Sequence, residues 1–378
     1  MRQPWSEGTL DSTRAPVLVH GATGFTGRLV CEALRRRGLP FAIAGRSSRR
    51  LDDLALALGG SVETCLVDVG DASSLDRAVL GRSIVCACAG PFAEVGEPVL
   101  AACARGGVNY VDTTGEQSFV ARALAHHDAT ARATGACIVP AMGYEIAPAD
   151  WAAEIVSAQV GGAPDEIAIL YAVTGADGRL FATSRGSKRS ALGMLLAGHG
   201  GQWVDGSFLP ERPGYVVRPF EWAPGERVVG ASFPSPNANV TPSHTGARTV
   251  RTFLEVSAGM ARTLHAASVV APLLACLVRP PLDRAIARSA EAPDEAGRRS
   301  APYRILCEAT KRGQRASLIL RGRDPYGFTG ELVAYAADRA LAGAISARGV
   351  VAPSVAFPAH ASLDALRLLG VQIEKKES

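Results

Sequence analysis

The sequence predicts an α/β protein in which a doubly wound parallel sheet is followed by a second α+β unit built on a mixed sheet. Three observations carry this reading. A strand, a glycine turn and a helix follow one another in Val17-Leu18-Val19-His20-Gly21-Ala22-Thr23-Gly24-Phe25-Thr26-Gly27; β-α alternation then continues to Val139; and beyond Asp150 the alternation is lost. At 378 residues the chain can bury two medium cores or one large one.

The glycine run has the form of a cradle for a dinucleotide. Gly21 permits the tight turn out of the strand, Gly24 lets backbone N–H groups approach a pyrophosphate, and Gly27 lets the next helix pack against the sheet. Thr23, Phe25 and Thr26 complete the loop and the helix N-terminus that faces the anion. The helix is amphipathic, with Leu29/Ala33 and Val30/Leu34 at helical spacing, and Gly38 stops it.

The second strand, Phe41 to Ala44, ends without an acid. A carboxylate there would accept from ribose hydroxyls and repel a 2′-phosphate; the chain instead reads Gly45-Arg46-Ser47-Ser48-Arg49-Arg50. Arg46 can pair bidentately with a phosphate, and Ser47 adds a neutral donor. The cofactor expected is therefore NADPH rather than NADH.

Further strands are expected at Val62 to Val67, Ile84 to Ala89, Asn109 to Asp112 and Ala136 to Val139, with helices near Ser74 to Leu80, Pro98 to Arg105 and Phe119 to Ala133. Their carboxyl ends carry the remaining cofactor candidates. Asp68 can accept from an adenine amino group or cap a helix; Ala89-Gly90-Pro91-Phe92 let a nicotinamide ribose approach, with Phe92 covering it; Asp112 to Glu116, including Gly115, put carboxylates and hydroxyls near the nicotinamide.

The chain leaves the sheet through Gly143-Tyr144-Glu145-Ile146-Ala147-Pro148, with Pro148 in the first turn of a helix. Strands are then expected at Glu166 to Thr174, Arg227 to Val229, Thr249 to Val256, Tyr303 to Ala309 and Arg315 to Leu320. Gln202 to Thr245, rich in Pro, Gly and aromatics, reads as an irregular cover, and Ala292 to Ala301 as a polar break. Helices near Gly330 to Ala347 and Ala361 to Leu369 flank Gly349-Val350-Val351. The expected division is a disordered tail over 1–14, a cofactor domain over 15–147, a substrate domain over 148–325, and a C-terminal helical segment over 326–378 that returns to the first domain.

Composition narrows the function. Forty basic and 36 acidic side chains leave +4, with no basic run dense enough for nucleic acid. The eight cysteines contain no C-x-x-C pair, so they read as small core residues of a reducing compartment and no metal is expected. The first fifteen residues carry Arg2, Glu7, Asp11 and Arg14 without an apolar core, so a cytoplasmic location is expected. The apolar stretch Ala266 to Val278 is broken by Pro272 and is shorter than the roughly twenty residues of a membrane span. A buried helix pair or the wall of an apolar pocket is expected there, with peripheral contact to a membrane surface as the alternative.

With these pieces in place, the chain resembles the saccharopine dehydrogenase-like oxidoreductases, in the bacterial branch that includes trans-acting enoyl reductases. The resemblance rests on Gly21 to Gly27, Gly45-Arg46, Gly90-Pro91-Phe92 followed by Tyr110 to Glu116, Gly143 to Asp150, Ser184-Arg185-Gly186-Ser187 with Ser190, Asp324-Pro325-Tyr326-Gly327 and Gly349 to Pro353. It departs where the family reads Gly-Phe-Asp-Ser-x-Pro-x-Asp, for here Gly143-Tyr144-Glu145-Ile146 has a longer acid and an isoleucine in place of serine.

The resemblance implies a Rossmann-type first domain and hydride transfer from NADPH to an activated C=C of a hydrophobic acyl or polyketide-like intermediate, or to a C=N bond. Tyr144 is the candidate proton donor, Glu116 stands near the nicotinamide, and Lys188 is a cation for a developing enolate; Tyr144, Arg185, Ser187 and Tyr326 are the candidate substrate contacts. A carrier protein could deliver the substrate, and a homodimer is compatible with the sequence. A non-catalytic NADP(H) sensor is the other class of reading, against which stand some two hundred further residues built around an apolar segment.

Overall fold

A computed structural model of the chain describes residues 14–174, 183–197 and 200–375. The expected tail over 1–14 lies outside the described residues except for Arg14. In the first part, β1 (Val17–His20), α1 (Phe25–Arg36), β2 (Phe41–Gly45), α2 (Ser48–Ala57), β3 (Glu63–Leu66), α3 (Ala72–Val79), β4 (Ile84–Ala87), α4 (Phe92–Val95), α5 (Glu97–Gly106), β5 (Asn109–Asp112), α6 (Gln117–Thr134) and β6 (Cys137–Val139) alternate. β1 and β4 are buried along their whole length, which explains why they read as unbroken apolar runs rather than alternating ones.

The chain then continues through α7 (Ile146–Gln159), β7 (Glu166–Val173), α8 (Arg185–Ala197), β8 (Gly201–Val204), β9 (Ser207–Pro210), β10 (Val217–Glu221), β11 (Arg227–Ser232), α9 (Asn237–Thr245), β12 (Thr249–Val256), α10 (Ala258–Val270), α11 (Ala275–Arg288), α12 (Glu295–Ser300), β13 (Pro302–Lys311) and β14 (Gln314–Arg323). It closes with α13 (Pro325–Leu341), β15 (Gly349–Val350), α14 (Pro353–Ala356), α15 (Ala359–Leu368) and β16 (Gln372–Lys375).

Two sheets result. The first is seven-stranded and parallel in the order β15-β6-β5-β4-β1-β2-β3. Its strand order reverses between β1 and β4, which opens a crevice at their carboxyl ends. The second is nine-stranded and mixed, in the order β10-β11-β12-β7-β13-β14-β16, with β8 on β12 and β9 on β8; only β12 and β7 run parallel. The predicted fold class is therefore correct in both parts.

One apolar core links the sheets. Val17, Val19 and Ile43 of the first sheet, Trp151 of α7, Leu332 and Val333 of α13, and Ile305 and Leu320 of the second sheet belong to the same buried cluster. α13 packs on α1 and touches β4 and β5, while α7 touches β7, β13 and β14. The carboxyl ends of the parallel strands thus lie where α7, α8 and α13 converge.

Three expectations are corrected. The stretch Gln202 to Thr245 is not irregular: besides β11, expected at Arg227 to Val229, it forms β8, β9, β10 and α9, which pattern reading missed because β9 is fully exposed and Pro210 and Pro219 sit within short strands. The polar break at Ala292 to Ala301 contains α12, which Asp294 caps by accepting from the Gly297 N–H at 2.8 Å. Ala266 to Val278 is buried only at Ser268, for α11 has no buried residue and Leu273 and Leu277 are exposed; Cys276 is exposed with them.

Candidate active site

The glycine cradle is built as its chemistry requires. Gly21 has φ +75°, in the left-handed region, and a side chain there would meet the Ala89 backbone N at 2.7 Å. A Cβ on Gly27 would come within 2.3 Å of the Gly21 carbonyl. The loop therefore packs directly on the turn after β4, and Ala89-Gly90 adjoins it. Gly24 is the N-cap of α1 and brings no side-chain acceptor to the N–H groups of the first turn, so Phe25 and Thr26 open a helix end suited to an anion.

Around this cradle, Arg46 stands exposed at the end of β2, with no ion pair among the described residues. Ser47 caps α2 by accepting from the Arg50 N–H, and the Arg50 side chain donates to the Thr23 carbonyl at 3.0 Å. Asp68 is exposed beyond β3 and accepts from the Gly70 N–H at 2.9 Å; the cap of α3 is Asp71, not Asp68. These residues fit a phosphorylated dinucleotide: a sterically enforced cradle, an uncapped helix end and an unpaired guanidinium.

The turn after β4 departs from expectation at Phe92. Its ring is buried against Phe119, with centroids 5.6 Å apart, and so faces the domain core instead of covering a ribose. Its backbone N–H and that of Ala93 donate to the two Glu116 carboxylate oxygens at 2.9 and 2.8 Å. Glu116, 3% exposed, also accepts from Ser190 of α8 at 2.6 Å. It thus caps α4 and ties it to α8.

Asp112, fully buried, accepts from the backbone N–H groups of Thr114 and Ala141 at 2.9 Å each, so it braces the ends of β5 and β6. Burial pushes its carboxyl up to about 6.

The side chains that can move a proton lie just beyond β6. Tyr144 is half-buried, its backbone N–H donates to Thr329 and its ring meets Tyr303 edge-on at 5.4 Å. Its hydroxyl makes no hydrogen bond among the described residues, and burial, then the Glu145 charge, holds its proton on well above the usual phenol range. Glu145 lies over two glycines: a Cβ on Gly115 would stand 3.5 Å from one carboxylate oxygen and one on Gly143 would stand 3.4 Å from the other. Burial pushes this carboxyl up to about 7. Sequence reading registered Glu145 only as a lengthened acid; the signal available was its place beside Gly143 at a strand end.

Helix α8 supplies the facing wall. The Tyr326 hydroxyl accepts from the Ser184 N–H at 2.8 Å, lies 2.9 Å from Ser187 Oγ, and its ring meets Phe25 of the cradle at 5.1 Å. Tyr326, Ser187 and the cradle are thus brought together. Lys188 and Arg185 are not: Lys188 Nζ donates to Ser289 Oγ at 3.2 Å and Arg185 Nη2 to the Ser289 carbonyl at 2.7 Å. The expectation that Lys188 faces an enolate is not met, because its ammonium turns to the end of α11. Arg185 Nε is buried and has no partner among the described residues.

Next to Ser190, Ala191, Met194 and Leu195 line an apolar cavity of about 180 Å³ with Phe233, Pro234 and Leu264. A further cluster joins Asp150, His244 and Ser354, a Ser-His-Asp set that the scattered histidines of the sequence did not suggest. It is not a nucleophile triad, since the Ser354 hydroxyl donates to Asp150 Oδ2 at 2.6 Å while His244 Nε2 binds Asp150 Oδ1 at 2.8 Å. Asp150 also accepts from Thr241, so the cluster fastens α7 to α9 and α14.

Residues 17–139 match the family described as saccharopine dehydrogenase NADP binding domain. The chain is similar to a trans-acting enoyl reductase of Mycobacterium leprae, 39% identical over 145 residues, which are 37% of this chain and 35% of that protein. A trans-acting enoyl reductase of Mycobacterium bovis is 35% identical over 139 residues, 35% of this chain and 33% of that one. The matched region thus spans about a third of these relatives. The saccharopine dehydrogenase (L-Glu forming) of Saccharomyces cerevisiae shares the fold, with TM-score 0.61 at 15% identity over 96% of this chain and 100% of that one.

Proposed function

We propose that this chain, whose residues 17–139 match the saccharopine dehydrogenase NADP binding domain, is an NADPH-dependent reductase of an activated C=C in a hydrophobic acyl thioester. One juxtaposition carries the reading. Glu145, its carboxyl pushed up to about 7 by burial, stands beside Gly115 at the carboxyl end of β5, and Tyr144, which keeps its proton, precedes it; a parallel sheet of this kind binds a dinucleotide at the carboxyl ends of its strands. The match to enoyl reductases supports C=C over C=N, and the apolar cavity that begins beside Ser190 supports an acyl chain.

When bound, NADPH supplies the hydride that the β-carbon of the enoyl group accepts. Gly21 to Gly27 and Arg46 hold its phosphates. Glu116 fixes the turn at Phe92 and, through Ser190, the distance to α8. The Tyr144 hydroxyl gives its proton to the α-carbon of the resulting enolate, and Glu145 stands beside it to restore that proton. Ser187 and Tyr326 position the substrate head, and Arg185 and Lys188 clamp α8 to Ser289.

The test is NADPH consumption by purified protein with α,β-unsaturated acyl thioesters of increasing chain length and, in parallel, cyclic imines. Turnover of the thioesters is expected to rise with chain length and to fall on the order of 10²-fold in Tyr144→Phe. Turnover of imines alone would transfer the assignment to C=N chemistry, and rates unchanged in Tyr144→Phe would remove Tyr144 from it.

A further inference from the structure

The loop that reverses α10 into α11 exposes an apolar surface. Val269, Val270, Leu273, Leu274 and Leu277 are all exposed, Leu273 by 77% and Leu277 by 70%, and no charged residue lies between Ala266 and Val278. Side chains of this size and number, contiguous and unpartnered, are a liability in water and mark a contact surface.

The hairpin is a built feature rather than a frayed one. Ser268 is buried and bonds the Pro213 carbonyl, Arg212 donates to the Ser268 carbonyl at 3.0 Å, and a Cβ on Gly214 would meet the α10 backbone at 2.9 Å. One side of α10 is thereby fastened down while Val269 and Val270 face outwards. α11 rests on α8, to which Ser289 ties it.

Neither helix can cross a bilayer. With 13 and 14 residues each is about 20 Å long, against a hydrocarbon core of about 30 Å, and the pair is bent through 120°. The shape is that of a wedge whose apolar tip reaches the interface and goes no deeper.

The flanks identify the surface. Arg262, Arg284 and Arg288 are exposed and form no ion pair among the described residues, while the one acid of the hairpin, Asp283, is paired with Arg279. An apolar tip carried on helices with unpaired guanidinium groups is complementary to anionic headgroups above acyl chains. α10 also carries Leu264 into the apolar cavity beside Ser190. Leu264 and the exposed pair Val269 and Val270 thus share one helix, which leads from the cavity to the tip.

We infer that the α10–α11 hairpin docks this protein on an anionic lipid surface, inserting Leu273 and Leu277 between acyl chains. The inference does not rest on the reductase reading, because its test reads binding and not turnover.

The experiment is flotation of the full chain with vesicles of phosphatidylcholine alone and of phosphatidylcholine mixed with phosphatidylglycerol, at low and high salt. The wild-type protein is expected to float with the anionic vesicles and to be released by salt. Leu273→Ser with Leu277→Ser should weaken binding roughly tenfold or more, and Arg284→Gln or Arg288→Gln about fivefold each. All four residues are exposed, so the variants keep the fold, checked by circular dichroism. Wild-type protein that stays with the soluble fraction would overturn the inference. So would equal binding to neutral vesicles, or a salt-insensitive self-association that the leucine substitutions abolish.

Discussion

Ser190 donates a 2.6 Å hydrogen bond to Glu116, and through it α8 is fastened to the turn that closes the dinucleotide crevice. The same carboxylate holds the N–H groups of Phe92 and Ala93, so one buried side chain spans three elements. It acts by positioning, since its oxygens are occupied by the protein.

Loss of that carboxylate leaves the buried Phe92 N–H, the Ala93 N–H and the Ser190 hydroxyl unpaired. Glu116→Ala is expected to destabilise the protein by about 3 kcal/mol or more and to raise KM for NADPH, and Glu116→Gln, which keeps one acceptor, by less. Urea denaturation together with cofactor titration checks both effects. Unchanged stability would mean that α4 and α8 are held elsewhere.

The cradle makes a sharper forecast. In Gly27→Ala the new methyl group would stand 2.3 Å from the Gly21 carbonyl, a backbone atom that cannot yield without opening the turn. NADPH binding should be lost on calorimetric titration while the second sheet, remote from the change, keeps its circular dichroism.

Glu145 sets a pH dependence. Its ordinary value is 4.5 and burial lifts it to about 7 in the folded chain, so the native state binds more protons and stability falls as pH rises between the two. The full cost, about 3 kcal/mol, is present above about pH 7. Glu145→Gln should therefore be more stable than the wild type at about pH 8 and equal to it at about pH 4, measured by urea denaturation at both.

The Asp150–His244 pair behaves differently. Burial pushes the Asp150 carboxyl up, but the His244 charge and the bonds from His244 and Ser354 outweigh it and hold the group below its usual range. Burial likewise opposes the His244 charge, and Asp150 overcomes it, so His244 titrates above its ordinary 6.5. The histidine's contribution is complete below 6.5 and lost as pH rises through its folded value. Asp150's is complete above its ordinary 3.8 and lost as pH falls through its folded value. His244→Ala should cost about 3 kcal/mol near pH 6, because it strands a buried carboxylate, and less in alkali.

Sequence reading reached the parallel sheet because its strands are short apolar runs between helical periods and glycine stops; Asn109–Asp112 and Thr249–Val256 are found at the expected bounds. It missed β9, where exposure removes the apolar signal, the short β8 and β10, and β16, four residues at an outer edge of the second sheet. In the site, the cradle glycines and Arg46 were legible because the motif is local. The Asp150, His244 and Ser354 cluster was not, for its members lie 94 and 110 positions apart and no local pattern joins them. Phe92 was placed at the right strand end but with its ring outward; which way a side chain turns after a strand depends on Phe119, which only the fold brings near.

The most direct test of the account is to follow the label from NADPH carrying deuterium at the transferable position of its nicotinamide, in a single turnover with a long-chain enoyl thioester, by mass spectrometry of the product. The account predicts a saturated thioester that carries the deuterium at its β-carbon, formed with NADPH and much less with NADH, and lost together with cofactor binding in Arg46→Ala. A reduced product without the label, or label delivered equally well from NADH, would contradict it.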